Sequence, residues 1–334
     1  MTYKTKIIAE AGVNHNGSIE LAIDMIKAAS NSGADFIKFQ TFFADKIATT
    51  LAPKAKYQTS SACDQASAHD MLRSLELPLE SFKILYEECK RQKIGFLSTA
   101  FDIESLDYLI NIGMKIIKIP SGEITNLPFL EYIGSRNMPT ILSTGMTDLV
   151  EIKEAIKILT NSGLELSSLS LLQCTSEYPT PFKSTNLKVI NALKKLGHQV
   201  GFSDHTLGIE AAIAAVTLGA DIIEKHFTLD KSFEGPDHKA SLDVSELHAM
   251  ISAIRNIEKA LGSEVKKPSK IEIETRDVVR RSLVAKQTIL KGEKFSKENI
   301  TAKRPGKGLS PMHIYKVLGK KAKQDFKPDD LIVL

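Results

Sequence analysis

Short apolar runs alternate with helix-like patterns along most of this 334-residue chain, and that beat limits its fold more than any other feature. The runs are Lys6–Glu10, Phe36–Gln40, Gly95–Thr99, Ile116–Ile119, Thr140–Ser143, Leu169–Gln173, Gln199–Phe202 and Asp221–Glu224. A strand, a helix and a second strand in that order give a parallel pair with a right-handed crossover. Eight such repeats over about 260 residues have the dimensions of an α/β fold of the (β/α)8 TIM-barrel type. A doubly wound open sheet is the weaker alternative, because no GxGxxG follows the first run. Ser18 and Asp102 stand where helix N-caps belong, and Pro78 precedes an amphipathic run ending near Arg91.

One connection breaks the beat. Phe42–Leu77 is long, carries a helical pattern around Ala66–Leu75, and reads as a lid or binding loop. After Leu261 the pattern changes: Pro268 and several lysines suggest a linker, followed by short β-type runs at Ser282–Lys286 and Leu331–Val333. Turn dipeptides punctuate them at Lys291-Gly292, Pro305-Gly306 and Pro328-Asp329. The expected organisation is therefore a barrel at 1–264, a linker at 265–275 and a small C-terminal mostly-β domain at 276–334. That last domain is near the size at which a core alone is marginal.

Composition excludes several classes. No apolar run approaches the roughly 20 residues of a membrane helix, and Glu10 interrupts the first apolar run where a secretory signal would continue. Cys63, Cys89 and Cys174 are far apart, without a CxxC. They argue for a reducing cytoplasm rather than a disulfide framework. Residues from about 265 onward carry roughly ten net positive charges, and the rest is mildly acidic. Without aromatic interleaving or a nucleic-acid motif, the basic tail is expected to face an anionic ligand or an acidic protein surface.

Period-2 parity brings polar residues to the carboxyl ends of the expected strands, where barrels place their chemistry. Two histidines end the last two runs, in Gly201-Phe-Ser-Asp-His205 and Ile222-Ile-Glu-Lys-His226, separated by the helical segment Gly208–Gly219. Two imidazoles meeting there suit a divalent metal, the bland alternative being two satisfied histidines near strand ends. Glu10, Lys38, Gln40, Lys118, Ser121, Glu123, Ser143, Tyr178, Ser203 and Glu224 gather at the same end. Each alone has an ordinary explanation as a snorkelling lysine, a turn or a cap. Together they suit a phosphate and a carboxylate beside a metal-polarised carbonyl, as in phosphoenolpyruvate condensing with an aldehyde. A Schiff-base aldolase using Lys118 is a second reading, and a non-catalytic sugar-binding or ice-binding protein a third. The pair of lysines beside the pair of histidines favours the metal route.

The chain resembles the phosphoenolpyruvate-dependent sialic acid synthases over essentially its whole length. The matching signatures are Glu10-Ala-Gly-Val-Asn-His-Asn-Gly17, Lys38-Phe-Gln40, Lys118-Ile-Pro-Ser-Gly-Glu123, Ser143-Thr-Gly-Met146 and Tyr178-Pro-Thr-Pro181. They continue with Ser203-Asp-His205, Glu224-Lys-His226-Phe and Gly235-Pro-Asp237. In the tail, Lys303-Arg304-Pro-Gly306 and Leu318-Gly-Lys320 resemble the family's antifreeze-like SAF domain. The resemblance implies Mn2+ or Mg2+ on His205 and His226, and phosphoenolpyruvate on Lys38, Lys118, Ser121, Ser143 and Ser203. It implies an open-chain N-acylated amino sugar on Gln40, Glu123, Tyr178 and Asp237, with Arg304 supplied by the partner of a domain-swapped homodimer. Glu10, Glu224 and Asp237 are then the candidates for moving protons or orienting water. N-acetylneuraminate synthases commonly carry His where this chain has Phe39 and Asn where it has Ser176. Ile119–Asn126 and Gly235–Leu242 look more like legionaminic acid synthases, which take 2,4-diacetamido-2,4,6-trideoxymannose. N-acetylneuraminate synthesis from N-acetylmannosamine stays open as the alternative.

Overall fold

The computed structural model describes residues 4–55 and 67–334. They form two compact units, 1–262 and 263–334. In the first, eight parallel strands follow the predicted beat: β1 Lys6–Gly12, β2 Phe36–Thr41, β3 Gly95–Ala100 and β4 Ile117–Ile119. They continue as β5 Thr140–Ser143, β6 Leu169–Cys174, β7 Gln199–Asp204 and β8 Ile222–His226. The order is β3-β2-β1-β8-β7-β6-β5-β4, and β3 and β4 are neighbours across the remaining seam. The result is a nearly closed TIM-type barrel.

Helices enclose it because their apolar stripes bury against the outward faces of the strands. The cap signals act as read: Ser18 accepts from the Leu21 N–H at the start of α1 Ile19–Ser32, and Asp102 accepts from the Ser105 N–H. In the long insertion, α2 Ala44–Ile47 and α3 Ala68–Leu75 are helical, and a capping box at Ser67 starts the latter. Ala66, where the second helix was expected to begin, and Cys63 lie outside the described residues.

Inside the barrel, successive inward residues form layers. Ile8, Leu97, Ile141, Leu172 and Ile222 make a buried apolar cluster, joined by Phe36 and Ile116. On β7 that layer holds Gly201, where a Cβ would lie 2.4 Å from the Ile222 carbonyl oxygen and 2.6 Å from Leu172 Cδ2. Only glycine fits there. On the outward face of β7 and β8, Lys225 Nζ is 2.9 Å from Asp204 Oδ2, and neither side chain is exposed at all. Lys225 also donates to the Thr206 carbonyl, while Asp204 Oδ1 accepts from the Thr206 N–H and hydroxyl at 2.8 Å each.

The second unit departs from expectation in two respects. A helix at Lys270–Val279 occupies the second half of the segment expected as linker, and a capping box between Ser269 and Glu272 starts it. Regular β structure is confined to the antiparallel pair β9 Ser282–Ala285 and β10 Ile300–Lys303. Leu331 contributes one bridge, to Val284, instead of a strand. The unit's own core gathers Leu283, Ile289, Phe295, Ile300, Val317, Phe326 and Ile332.

The buried pair behind the two histidines sets a stability test. Lys225→Met strands the Asp204 carboxylate away from water, and the expected loss is about 3–5 kcal/mol. Urea unfolding reads it as a lower midpoint at unchanged slope. Replacing both residues by apolar ones of similar volume is expected to recover most of that loss.

Candidate active site

Two residues above the apolar layer, every strand turns a side chain of another kind inward. The second layer is Glu10, Lys38, Thr99, Lys118, Ser143, Cys174, Ser203 and Glu224, and all eight are buried. A two-residue step in a strand returns to the same face, so the register that buries Ile8 and Ile222 also delivers Glu10 and Glu224.

Four charges share this layer. Lys38 Nζ is 2.9 Å from Glu10 Oε2 and 3.6 Å from Glu224 Oε2, and it donates to Thr99 Oγ1 at 2.9 Å. Lys118 Nζ is 3.5 Å from Glu224 Oε1 and donates to Ser143 Oγ at 2.8 Å. Ser203 Oγ donates to Glu224 Oε1 at 2.9 Å. The surroundings drive the two carboxyls apart. Burial pushes Glu10 up to about 7 against the pull of Lys38. Burial also penalises a charged Glu224, but Lys118 and Lys38 together outweigh it and hold that group at about 2. Burial lowers Lys118, whereas for Lys38 the two carboxylates overcome burial and raise it. Glu224 is thus the fixed counter-ion of two ammonium groups, and Glu10 is a carboxyl able to hold or release a proton near neutrality.

The third layer brings the histidines together, with ring centroids 5.6 Å apart. His205 Nδ1 lies 2.7 Å from the Thr175 carbonyl oxygen, which can only accept, so Nδ1 carries the proton. His205 Nε2 lies 3.3 Å from Ser203 Oγ. His226 Nδ1 is buried without a hydrogen-bond partner, with Asp237 Oδ2 at 4.0 Å. Tyr178 lies over His205 at 4.1 Å between centroids and edge-on to His226 at 5.7 Å. Burial first, then His205 and Lys38, hold His226 well below its ordinary value. Burial opposes charge on His205 too, but Cys174 and the Thr175 carbonyl outweigh it and leave that imidazole raised. Gly12, at φ +53, gives His226 room, since a Cβ there would lie 3.3 Å from His226 Cε1.

This donor set fits a divalent cation. One imidazole is oriented by a backbone carbonyl, as metal-binding histidines are, and the other has an orphaned ring nitrogen. Among the described residues no group of three or more His, Cys, Asp or Glu side chains is arranged to hold a metal. A cation there would rest on His205 and His226, with its other positions left to water or substrate oxygens.

A cavity of about 380 Å³ opens onto both layers. Of the residues expected at the site, Glu10, Lys38, Gln40, Lys118, Ser121, Ser143, Tyr178, Ser203, His205, Glu224 and His226 line it. Ser121 Oγ accepts from the Gly145 N–H at 2.9 Å. Asp237 stands behind His226, buried and pushed up to about 6 by that burial. Its loop is tied to the first one: Asn14 Nδ2 donates to the Phe227 carbonyl, and Asn16 Nδ2 to that of Glu234. Glu123 is outside the lining and accepts from Asn126 Nδ2 at 2.6 Å. Arg304 lies exposed in the second unit. Thr99, Cys174, Phe42, Phe101, Ile47 and Leu72 line the cavity without having been singled out from the sequence. The first two were within reach of the same two-residue step. A larger open groove of about 850 Å³, lined by Leu79, Asp107, Tyr108 and Phe129 among others, holds none of the inward polar residues.

The NeuB family model matches residues 25–266, and the SAF domain model matches residues 280–334. The chain is 52% identical over 332 residues to the N,N'-diacetyllegionaminic acid synthase of Campylobacter jejuni, covering 98% of this chain and 99% of that protein. It is 46% identical over 316 residues to the protein of the same name from Legionella pneumophila, covering 94% and 89% respectively. Among solved structures it is similar to the N-acetylneuraminic acid (sialic acid) synthetase of Leptospira borgpetersenii, with a TM-score of 0.71 and 33% identity. That match covers 83% of this chain and 93% of the other.

The divergent carboxyls make a pH prediction. The folded protein binds the Glu10 proton more tightly than the unfolded chain, so this group lowers stability as pH rises from 4.5 to about 7. In the substrate-free protein one glutamate carboxyl is expected to titrate near 7 by 13C NMR. Glu10→Gln should remove that transition and flatten the stability profile across the same window.

Proposed function

The chain belongs to the NeuB family and is an enzyme of nonulosonic acid synthesis; from this premise we propose that it condenses phosphoenolpyruvate with open-chain 2,4-diacetamido-2,4,6-trideoxymannose to give N,N'-diacetyllegionaminic acid and phosphate. The observation that carries the reaction is the buried layer of two lysines directly beneath two facing imidazoles at one barrel mouth. The names of the relatives from Campylobacter and Legionella support the choice of sugar.

In this reading Lys38 and Lys118, with Ser121, Ser143 and Ser203, bind the carboxylate and phosphate of phosphoenolpyruvate. A Mn2+ or Mg2+ ion held by His205 and His226 would supply polarisation of the sugar's aldehyde oxygen. The enol carbon forms the new C–C bond, and the former aldehyde oxygen gains a proton to become a hydroxyl. Water adds its oxygen to C2 and gives up a proton. The C2 hydroxyl then becomes the ketone, its proton passing to the departing phosphate as the C–O bond to that group breaks. Glu10 and Asp237, held at about 7 and about 6, are the groups able to exchange those protons, whereas Glu224 stays ionised to fix the two lysines. Gln40 and Tyr178, which line the cavity, meet the sugar. A swapped homodimer bringing the partner's Arg304 to the N-acyl group, in the cytoplasm, completes the proposal. No described helix is long and apolar enough to cross a membrane.

Phosphate release from phosphoenolpyruvate tests it, with the trideoxy acceptor and N-acetylmannosamine in parallel, before and after EDTA. Release should need an acceptor, vanish with EDTA and return with Mn2+ or Mg2+. Lys118→Met and His226→Ala should each cost about 10²–10³-fold in kcat, the scale for removing one preorganised electrostatic group. Preference for N-acetylmannosamine would keep the reaction and make the product N-acetylneuraminate. EDTA-resistant turnover with an adduct trapped by borohydride would replace it with a Schiff-base aldolase on Lys118. Absence of release with every acceptor would leave a sugar-binding protein.

A further inference from the structure

Above the lysines, the inward residues divide the barrel mouth into two chemically unlike halves. On β6 to β8 the continuing positions are Ser176, Tyr178, His205 and His226, all polar and all lining the cavity. On β2 and β3 the same two-residue step leads from Gln40 to Phe42 and from Thr99 to Phe101. These two rings meet edge to face, with centroids 6.1 Å apart and planes at 89°. Ile47 of α2 and Leu72 of α3 pack on them and, like them, face the cavity. Val13 and Leu75 of the same cluster do not line it. The insertion between β2 and β3 thus contributes Phe42, Ile47 and Leu72, joined by Phe101 just after β3, to an apolar wall apart from the charged and polar residues of the cavity, and no role assigned above uses that wall.

A six-carbon sugar whose aldehyde carbon sits between lysines and histidines has to run the rest of its chain through the same cavity of about 380 Å³. A hydroxyl turned against phenylalanine, isoleucine and leucine gives up its water and finds no partner in them, whereas a methyl loses nothing. We propose that Phe42, Ile47, Leu72 and Phe101 are the specificity wall of this enzyme, selecting a 6-deoxy, doubly N-acylated sugar by opposing hydroxyls at C4 and C6. The inference rests on the condensing reaction proposed above.

The test compares kcat/KM for N-acetylmannosamine, its 6-deoxy analogue and 2,4-diacetamido-2,4,6-trideoxymannose. It uses the full chain, with Leu72→Asn and Phe101→Tyr each putting a polar group into the wall from a different element. In the wild type the 6-deoxy analogue should outperform N-acetylmannosamine by about tenfold, and the trideoxy sugar should gain at least as much again. Each variant, shown folded by its thermal transition, should cut the ratio of trideoxy sugar to N-acetylmannosamine about tenfold. A ratio within twofold of wild type in both folded variants overturns the wall. So does a wild type that condenses all three acceptors equally, with the condensing reading intact. A wild type inert with every acceptor removes the condensing reading and this inference with it.

Discussion

Everything in the barrel depends on keeping two lysines and two glutamates out of water within a few ångströms of one another. Each charge alone would cost several kcal/mol to bury, so the cluster persists only because each member meets an opposite charge and, in three cases, a hydroxyl. Lys38 has Glu10 and Thr99, Lys118 has Ser143, and Glu224 serves both lysines while accepting from Ser203. The apolar layer beneath, closed by a glycine where no side chain fits, keeps water from entering from below. Two glutamates of identical chemistry consequently end at opposite extremes, one near neutrality and the other strongly acidic.

The histidines are held from behind by a different device. Lys225 and Asp204 alternate with the inward residues of their strands, so they lie on the outer face and join β7 to β8 one residue before each imidazole. Asp204 also grips Thr206, which leaves His205 with little freedom between two fixed neighbours. The backbone positions of the pair are thereby set by an ion pair that never meets substrate.

Strand parity made most of this legible beforehand. Glu10, Lys38, Lys118 and Glu224 are legible because a period of two admits only two faces and the apolar residue two positions earlier identifies the inner one, and Ser203 follows from the same alternation. On β6 the expected run stops at Gln173, one residue short: Gln173 turns away to the Thr185 carbonyl, and Cys174, the next residue, faces in. The helix Lys270–Val279 is hidden in the sequence by Pro268 and the neighbouring lysines, which suggest a linker, although Ser269 and Glu272 carry the capping-box spacing. Phe42 and Phe101 gave no signal, since an aromatic residue after a strand looks the same whether it faces a core or a cavity.

The layering has a consequence for descent. In the proposed reading the anion-binding lysines and serines occupy one stratum and the acceptor-facing wall the next, so exchanges in the upper stratum leave the ion-paired cluster below in place. A lineage built on this barrel can inherit its chemistry intact while drifting among acceptors, much as a lock keeps its bolt when its wards are recut.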